Sequence, residues 1–135
     1  MVRGTAELPA LLADADIVVV VVPLTAETER MVDAAFLAAM PDGALLVNAA
    51  RGRVLDTDAL LVELQARRLR AALDVTDPEP LPAEHPLWDA PNLLLTPHVA
   101  GTVEGFPAQA YALVRAQLRR QVCGEPLANV VSGEY

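Results

Sequence analysis

The sequence predicts an α/β protein built on a doubly wound parallel sheet, and two observations support this prediction. First, four short runs rich in valine and leucine recur along the chain, at residues 17–22, 44–47, 70–75 and 93–96. They lack an alternation of apolar and polar residues, which is typical of strands buried on both faces of a parallel sheet. Second, stretches with helical spacing separate the runs, as expected of repeated right-handed crossover units.

Capping residues mark the first two predicted helices. Asp33 is placed to cap a helix that ends at Met40, where the turn residues at 41–43 stop it. Asp56 is placed to cap a second helix over residues 57–67, whose leucines lie on one face. Both helices connect neighbouring strands, as the α/β prediction requires.

The last third of the chain departs from this regular alternation. Residues 77–91 contain five prolines, which predicts a loop with little helix. An amphipathic stretch at residues 102–123 predicts a closing helix, with Cys123 near its end as a buried residue. Residues 124–135 are predicted to be a tail.

Composition excludes several classes of partner. The chain has 135 residues, 53% of them hydrophobic, and a net charge of −8, so we expect one domain without a basic surface for nucleic acid. A single cysteine cannot form an intrachain disulfide, which favours a reducing cytoplasm. The longest apolar run, residues 17–24, is far shorter than the roughly 20 residues of a membrane-spanning helix. We therefore predict a cytoplasmic protein with neither membrane nor nucleic acid as partner, and no metal site.

Charged side chains follow three of the four predicted strands. Arg51 comes after the second strand, Asp74 and Glu79 after the third, and His98 after the fourth. Ligands of open parallel sheets bind at the carboxyl ends of the strands, where these residues would converge. Reduction of a 2-keto acid needs a cation for the substrate carboxylate and an acid for the carbonyl oxygen, and this set contains both.

Each of these residues has a chemical role that fits its side chain. The Arg51 guanidinium would bind a carboxylate through two parallel hydrogen bonds, and His98 would exchange the proton. Glu79 would orient the imidazole and stabilise its protonated form, and Asp74 would bind a nicotinamide carboxamide. Taken singly, each residue is more often structural: Arg51 paired with a surface acid, for example, or His98 bonded to the backbone of a tight turn.

One motif of a complete dinucleotide domain does not occur in the sequence. Such a domain opens with a strand, a G-x-G-x-x-G turn and a helix, and the sequence contains no such turn. We therefore expect residues 1–123 to be the C-terminal part of a Rossmann-like NAD-binding domain that is truncated at the N-terminus.

Four ordered motifs resemble a known family, the D-isomer-specific 2-hydroxyacid dehydrogenases, which include phosphoglycerate, glyoxylate, hydroxypyruvate and D-lactate enzymes. The motifs are Val22-Pro23-Leu24-Thr25 with Thr28, Leu46-Val47-Asn48-Ala49-Ala50-Arg51-Gly52, Ala72-Leu73-Asp74-Val75 with Glu79-Pro80-Leu81, and Leu95-Thr96-Pro97-His98-Val99-Ala100-Gly101. The resemblance covers nearly the whole chain.

The resemblance implies an NAD-dependent oxidoreductase that interconverts a 2-keto acid and a D-2-hydroxy acid. It implies that Arg51 binds the substrate carboxylate and that His98 and Glu79 form the acid–base pair. It further implies that residues 124–135 return to a substrate domain. The cofactor would be NAD, with NADP as an alternative. The residues implied to line it are Val22, Pro23, Thr28, Ala49, Ala50, Arg51, Asp74, His98, Ala100 and Gly101.

Two other interpretations of the same motifs stay open. One alternative is a non-enzymatic remnant, and the other is an NADH-sensing interaction module, a use that transcriptional corepressors make of this scaffold. An unrelated doubly wound protein would require four ordered matches by chance. For any of these, we expect an unpaired strand edge to favour a homodimer.

Overall fold

The computed structural model describes residues 2–132 and divides into two units. The first unit ends at Val99 and contains a four-stranded sheet in the order β1-β2-β3-β4, with every neighbouring pair parallel. The strands are β1 (Ile17–Val20), β2 (Leu45–Asn48), β3 (Arg70–Leu73) and β4 (Leu93–Leu95). The predicted fold class, a parallel α/β sheet with flanking helices, is confirmed.

Two strands, β1 and β3, end two residues earlier than the apolar runs predicted. β1 ends at Val20, whose carbonyl accepts a hydrogen bond from the Ala49 N–H at 3.2 Å. The chain then leaves the sheet towards Pro23, which has no N–H to donate. β3 ends at Leu73, although the Asp74 N–H still donates to Asn48 at 3.0 Å. The residues beyond both ends therefore form loops at the carboxyl edge of the sheet.

Both predicted helix caps are present. Asp33 accepts a hydrogen bond from the Phe36 N–H at 2.8 Å and begins α2 (Ala34–Ala39). Asp56 accepts one from the Ala59 N–H at 3.1 Å and begins α3 (Thr57–Gln65). Each carboxylate satisfies a backbone donor that has no partner within its helix.

One helix of the first unit was not predicted. α1 (Leu8–Ala13) is six residues long, carries Pro9 in its first turn and buries only Leu12. A helix this short has too few apolar positions for a periodic pattern to reveal it.

The core of the first unit lies on one face of the sheet. Leu37 of α2, Leu60 and Leu64 of α3, and Leu46 of β2 are fully buried there. On the other face, the side chains of Ile17, Val19 and Leu94 are more than half exposed. The apolar runs suggested helices on both faces, whereas α1, α2 and α3 pack into a single core cluster with one face.

The proline-rich connection has the predicted low helix content. Within residues 77–91 the only helical element is a short 3-10 turn, Pro86–Asp89. Leu87 is 1% exposed and anchors this turn in the core. His85 caps the turn, because its Nδ1 atom accepts a hydrogen bond from the Leu87 N–H at 3.2 Å. His85 thus has a structural role in the loop.

The second unit contains α4 (Phe106–Val122), which confirms the predicted closing helix. The residues after α4 fold back along it: Ala128 donates to the Gln117 side chain at 3.0 Å, and Arg120 donates to the Pro126 carbonyl at 3.2 Å. Cys123 is exposed, so its predicted burial was wrong; it lies just beyond the end of α4. The last three residues of the predicted tail, 133–135, lie outside the residues that the structure describes.

No helix within residues 2–132 is both long enough and apolar enough to span a membrane. The division of the chain at residue 123 stays a prediction.

Candidate active site

A histidine and a carboxylate meet at the carboxyl edge of the sheet. The Nδ1 atom of His98, just after β4, lies 2.7 Å from Oε1 of Glu79, in the loop after β3. Both side chains are about half exposed, at 49% and 43%. An ionised carboxylate only accepts hydrogen bonds, so Nδ1 carries the proton of this pair and Nε2 lies outside it. The structure therefore brings together the two residues predicted as the acid–base pair.

His98 stands in an unusual backbone conformation. Its φ angle is +55°, in the left-handed region that residues with a Cβ atom rarely occupy. Its N–H donates to the Asp74 carbonyl at 2.8 Å, which ties the turn after β4 to the end of β3. The imidazole is thus presented from a turn that the neighbouring strand holds.

Asp74 is the buried carboxylate of the site. It is 8% exposed, and its Oδ1 atom accepts hydrogen bonds from the Thr96 hydroxyl at 2.5 Å and the Val99 N–H at 2.9 Å. The sequence suggested that Asp74 binds a nicotinamide carboxamide. In the structure its Oδ1 atom binds the turn that carries His98, and the carboxamide role stays a prediction.

Arg51 lies at the end of a loop that Asn48 shapes. The Asn48 side chain is 1% exposed; its Oδ1 accepts from the Ala50 N–H at 3.0 Å and its Nδ2 donates to the Arg51 carbonyl at 3.2 Å. Ala50 is buried, whereas Ala49 and Arg51 are exposed. The Arg51 guanidinium donates to the Ala50 carbonyl at 2.7 Å through Nη1. A guanidinium has five N–H donors, so most of this one can serve an anionic ligand.

Gly52 brings this loop against the loop after β3. A Cβ atom at position 52 would stand 1.9 Å from the Thr76 carbonyl oxygen, closer than any side chain tolerates. The absence of a side chain is what allows the two backbones to touch. This contact sets the spacing between the loop of Arg51 and the loop of Glu79.

Ion pairs flank the same loop. Arg53 pairs with Glu29, and Arg30 pairs with Asp56, each at 2.5 Å. The hydrogen bond from Arg30, followed by the bond from the Ala59 N–H, holds the pKa of Asp56 below its ordinary value. The segment before α2 is thereby tied to the segment before α3.

Thr28 closes the loop after β1. Its hydroxyl donates to the Pro23 carbonyl at 2.6 Å and accepts from the Thr25 N–H at 2.8 Å. Val22 is partly buried and packs against the core, while Pro23 is exposed. The resemblance implied that these residues line a cofactor, which stays a prediction; in the structure the Thr28 hydroxyl shapes the loop.

A cavity of about 460 Å³ opens beside the His98–Glu79 pair. Asp74 and Thr76 contribute to its polar wall, and Leu81 and Trp88 to its apolar wall. Trp88 is 54% exposed and its indole N–H donates to the Pro82 carbonyl at 2.7 Å. Leu87 anchors the loop in the core, whereas Trp88 lines the cavity.

Two predicted cofactor residues lie outside the first unit. Ala100 and Gly101 open the second unit and are exposed. Their predicted role in lining the cofactor stays a prediction.

Thr96 is a member of the site that sequence analysis did not single out. The only signal was its place in the Thr-Pro-His tripeptide after β4. A threonine gives no local indication that its hydroxyl bonds to a carboxylate 22 residues earlier in the chain.

Comparison with known proteins identifies the family of this arrangement. Residues 2–100 match the NAD binding domain of the D-isomer specific 2-hydroxyacid dehydrogenases. Glyoxylate/hydroxypyruvate reductase A of Escherichia fergusonii is 39% identical over 129 residues, which cover 95% of this chain and 41% of that protein. The chain thus spans less than half of this curated relative.

Solved structures give the same result. A D-isomer specific 2-hydroxyacid dehydrogenase from Xanthobacter autotrophicus Py2, in complex with NADPH and MES, matches with a TM-score of 0.86 and 42% identity, over 96% of this chain and 53% of that one. An NADPH-dependent glyoxylate/hydroxypyruvate reductase from Sinorhizobium meliloti, in complex with NADP and sulfate, matches with a TM-score of 0.86 and 33% identity, over 96% and 42% of the two chains. The chain described here belongs to the D-isomer specific 2-hydroxyacid dehydrogenase family, within its NAD-binding domain.

Proposed function

We propose that this chain supplies the acid–base and carboxylate-binding groups of an enzyme that interconverts a 2-keto acid and a D-2-hydroxy acid. The observation that carries the proposal is the hydrogen bond of 2.7 Å between His98 Nδ1 and Glu79 Oε1 at the carboxyl ends of parallel strands. Arg51, exposed on the neighbouring loop, supplies the cation that a keto acid requires.

In the proposed reduction, His98 donates a proton from Nε2 to the carbonyl oxygen of the substrate. Glu79 accepts from Nδ1, which keeps Nε2 directed away from the pair and stabilises the imidazolium before transfer. In the reverse direction the neutral Nε2 atom takes the hydroxyl proton. The Arg51 guanidinium binds the substrate carboxylate and fixes which end of the molecule faces His98. The nicotinamide, when bound, supplies or accepts the hydride.

The residues fit one end of the cofactor. The edge that carries His98 also presents the exposed residue Ala49 and the cavity beside Asp74, a setting suited to a nicotinamide ring. The G-x-G-x-x-G turn that would hold a pyrophosphate does not occur in the sequence. We propose NAD as cofactor with NADP as the alternative, because the residue that reads the ribose normally follows that turn.

We also propose that the protein works in a reducing cytoplasm and associates with a second copy of itself. The exposed free thiol of Cys123 supports the first proposal. The exposed apolar side chains of Ile17 and Val19, on the edge strand β1, support the second. The net charge of −8 argues against a nucleic acid partner.

The test is a titration of the purified chain with NADH and with NADPH, followed through the fluorescence of Trp88, the only tryptophan. We expect saturable quenching, because Trp88 lines the cavity beside His98. A screen of 2-keto acids for dinucleotide oxidation follows, with His98→Ala as the inactive control and His85→Ala as the matched control. Turnover that survives His98→Ala would contradict the proposal. Dinucleotide binding without turnover of any keto acid would favour the interaction module.

A further inference from the structure

The turn that presents His98 donates two backbone hydrogen bonds to consecutive residues at the end of β3. Thr96 donates its N–H to the Leu73 carbonyl at 2.9 Å, as the last bond of the sheet. His98 donates its N–H to the Asp74 carbonyl at 2.8 Å. Pro97 has no N–H to donate. These two bonds tie the position of the turn to the end of β3.

The Asp74 carboxylate closes this arrangement. Its Oδ1 atom accepts from the Thr96 hydroxyl at 2.5 Å on one side of His98 and from the Val99 N–H at 2.9 Å on the other. Hydrogen bonds to a charged acceptor are stronger than neutral ones, and burial of Asp74 to 8% exposure keeps water from competing. One carboxylate oxygen thus holds a residue on each side of the histidine.

His98 itself needs such a restraint. Its φ of +55° is sparsely populated for a residue with a Cβ atom, and such conformations persist where the surroundings over-determine them. If the turn relaxed, the imidazole of His98 would move away from Glu79. The two side chains are half exposed, and one hydrogen bond of 2.7 Å joins them.

We infer that Asp74 and Thr96 act together as positioning residues for His98. They hold the turn in the left-handed conformation that keeps Nδ1 on Glu79 and leaves Nε2 for the substrate. Neither residue needs to touch the reacting atoms to do this. The inference rests on the proposed function only in its catalytic consequence, since the geometry it describes exists in the chain without ligand.

The two histidines of the chain provide a direct readout. When neutral, His98 carries its proton on Nδ1, because that atom faces an acceptor-only carboxylate. His85 carries its proton on Nε2, because its Nδ1 accepts the Leu87 N–H. The two imidazoles are thus expected in opposite tautomers, which nitrogen NMR of the full chain in alkaline solution distinguishes.

The matched variants are Thr96→Val, which removes the hydroxyl at nearly constant volume, and Thr96→Ser, which keeps it. Thr96 is an exposed residue, so neither change opens the core. We expect Thr96→Val to move His98 towards the Nε2–H tautomer that it lacks in the parent chain, and Thr96→Ser to retain the parent tautomer. Asp74→Asn is expected to act like Thr96→Val. His85 is expected to stay unchanged in all three variants.

Retention of the Nδ1–H tautomer of His98 in Thr96→Val would overturn the inference. If Asp74→Asn fails to fold, the comparison between valine and serine at position 96 still decides it. For turnover we expect Thr96→Val to lower kcat about 10- to 100-fold, with little change in KM for the dinucleotide, as displaced catalytic groups do. A raised KM for the dinucleotide with an unchanged tautomer would instead assign the pair to cofactor binding and overturn the inference.

The two proposals fail separately. Turnover that survives His98→Ala contradicts the proposed function, while the tautomer measurement still tests whether Asp74 and Thr96 position His98.

Discussion

His98 and Glu79, 19 residues apart in sequence, are joined by a hydrogen bond of 2.7 Å between Nδ1 and Oε1. The bond fixes which ring nitrogen bears the proton and therefore which one faces outward. The chemistry proposed for this edge of the sheet depends on that choice.

Glu79→Gln tests the charge of this pair. The amide oxygen can still accept the Nδ1 proton but no longer stabilises an imidazolium, so we expect kcat for keto-acid reduction to fall about 10- to 100-fold. KM for the keto acid should change little, since Glu79 faces the other side of the ring. Steady-state kinetics measure both, with Glu84→Gln in the same loop as control. Equal losses in the two variants would assign the effect to the loop.

Arg51→Lys tests the carboxylate-binding role. A lysine keeps the charge and loses the planar pair of donors, so we expect KM for the keto acid to rise by about tenfold or more, with a smaller change in kcat. Arg53→Lys is the matched control, because Arg53 lies two residues after Arg51 and its side chain pairs with Glu29. An unchanged KM in Arg51→Lys would remove Arg51 from the substrate site.

Gly52→Ala tests the contact between two loops of the site. The added methyl group would lie 1.9 Å from the Thr76 carbonyl oxygen, and backbone on both sides has to shift. Overpacking of this kind costs about 1–3 kcal/mol, so we expect a lower free energy of unfolding by denaturant titration. Gly4→Ala, where a Cβ atom meets nothing within 4 Å, is expected to be neutral. Equal stability of the two variants would show that the loops separate without cost.

Asp56→Ala tests the cap of α3 and its dependence on pH. Loss of the cap costs about 1 kcal/mol at neutral pH. The pKa of Asp56 in the folded chain lies below its ordinary value of 3.8, through Arg30 first and the Ala59 N–H second. Its contribution is therefore present above that ordinary value and is lost as pH falls through the lower folded value.

The measurement is denaturant unfolding of both proteins at neutral and acidic pH. The difference between the parent chain and Asp56→Ala should shrink in acid, and Asp58→Ala, an exposed neighbour, should show no such trend. A difference that stays constant with pH would mean that the charge of Asp56 does not contribute.

Val19→Lys tests self-association. Val19 is 56% exposed on the edge strand β1, and a charge there should oppose edge-to-edge pairing. We expect the parent chain to elute as a dimer or larger by light scattering, and Val19→Lys to shift towards the monomer. Val62→Lys, on α3 at 65% exposure, is the control and should leave the assembly unchanged. A monomeric parent chain would contradict the proposed dimer.

Much of the fold can be predicted from short stretches of the sequence. The four apolar runs predicted the four strands, and Asp33 and Asp56 predicted two helix starts, because a cap and a buried strand are local properties of a few consecutive residues. The order of the strands placed Arg51, Glu79 and His98 at one edge, since parallel strands end on the same side. α1 was missed because six residues carry no periodic signal.

The tertiary structure decided the finer arrangement of the site. The bond from His98 to Asp74, the bond from Thr96 to Asp74 and the approach of Gly52 to Thr76 all join segments separated by about 22 residues or more. No local pattern specifies such contacts, because they exist only once neighbouring strands have paired. The sequence by itself determined which groups reach the edge of the sheet, and only the packing of its strands determined which of them touch.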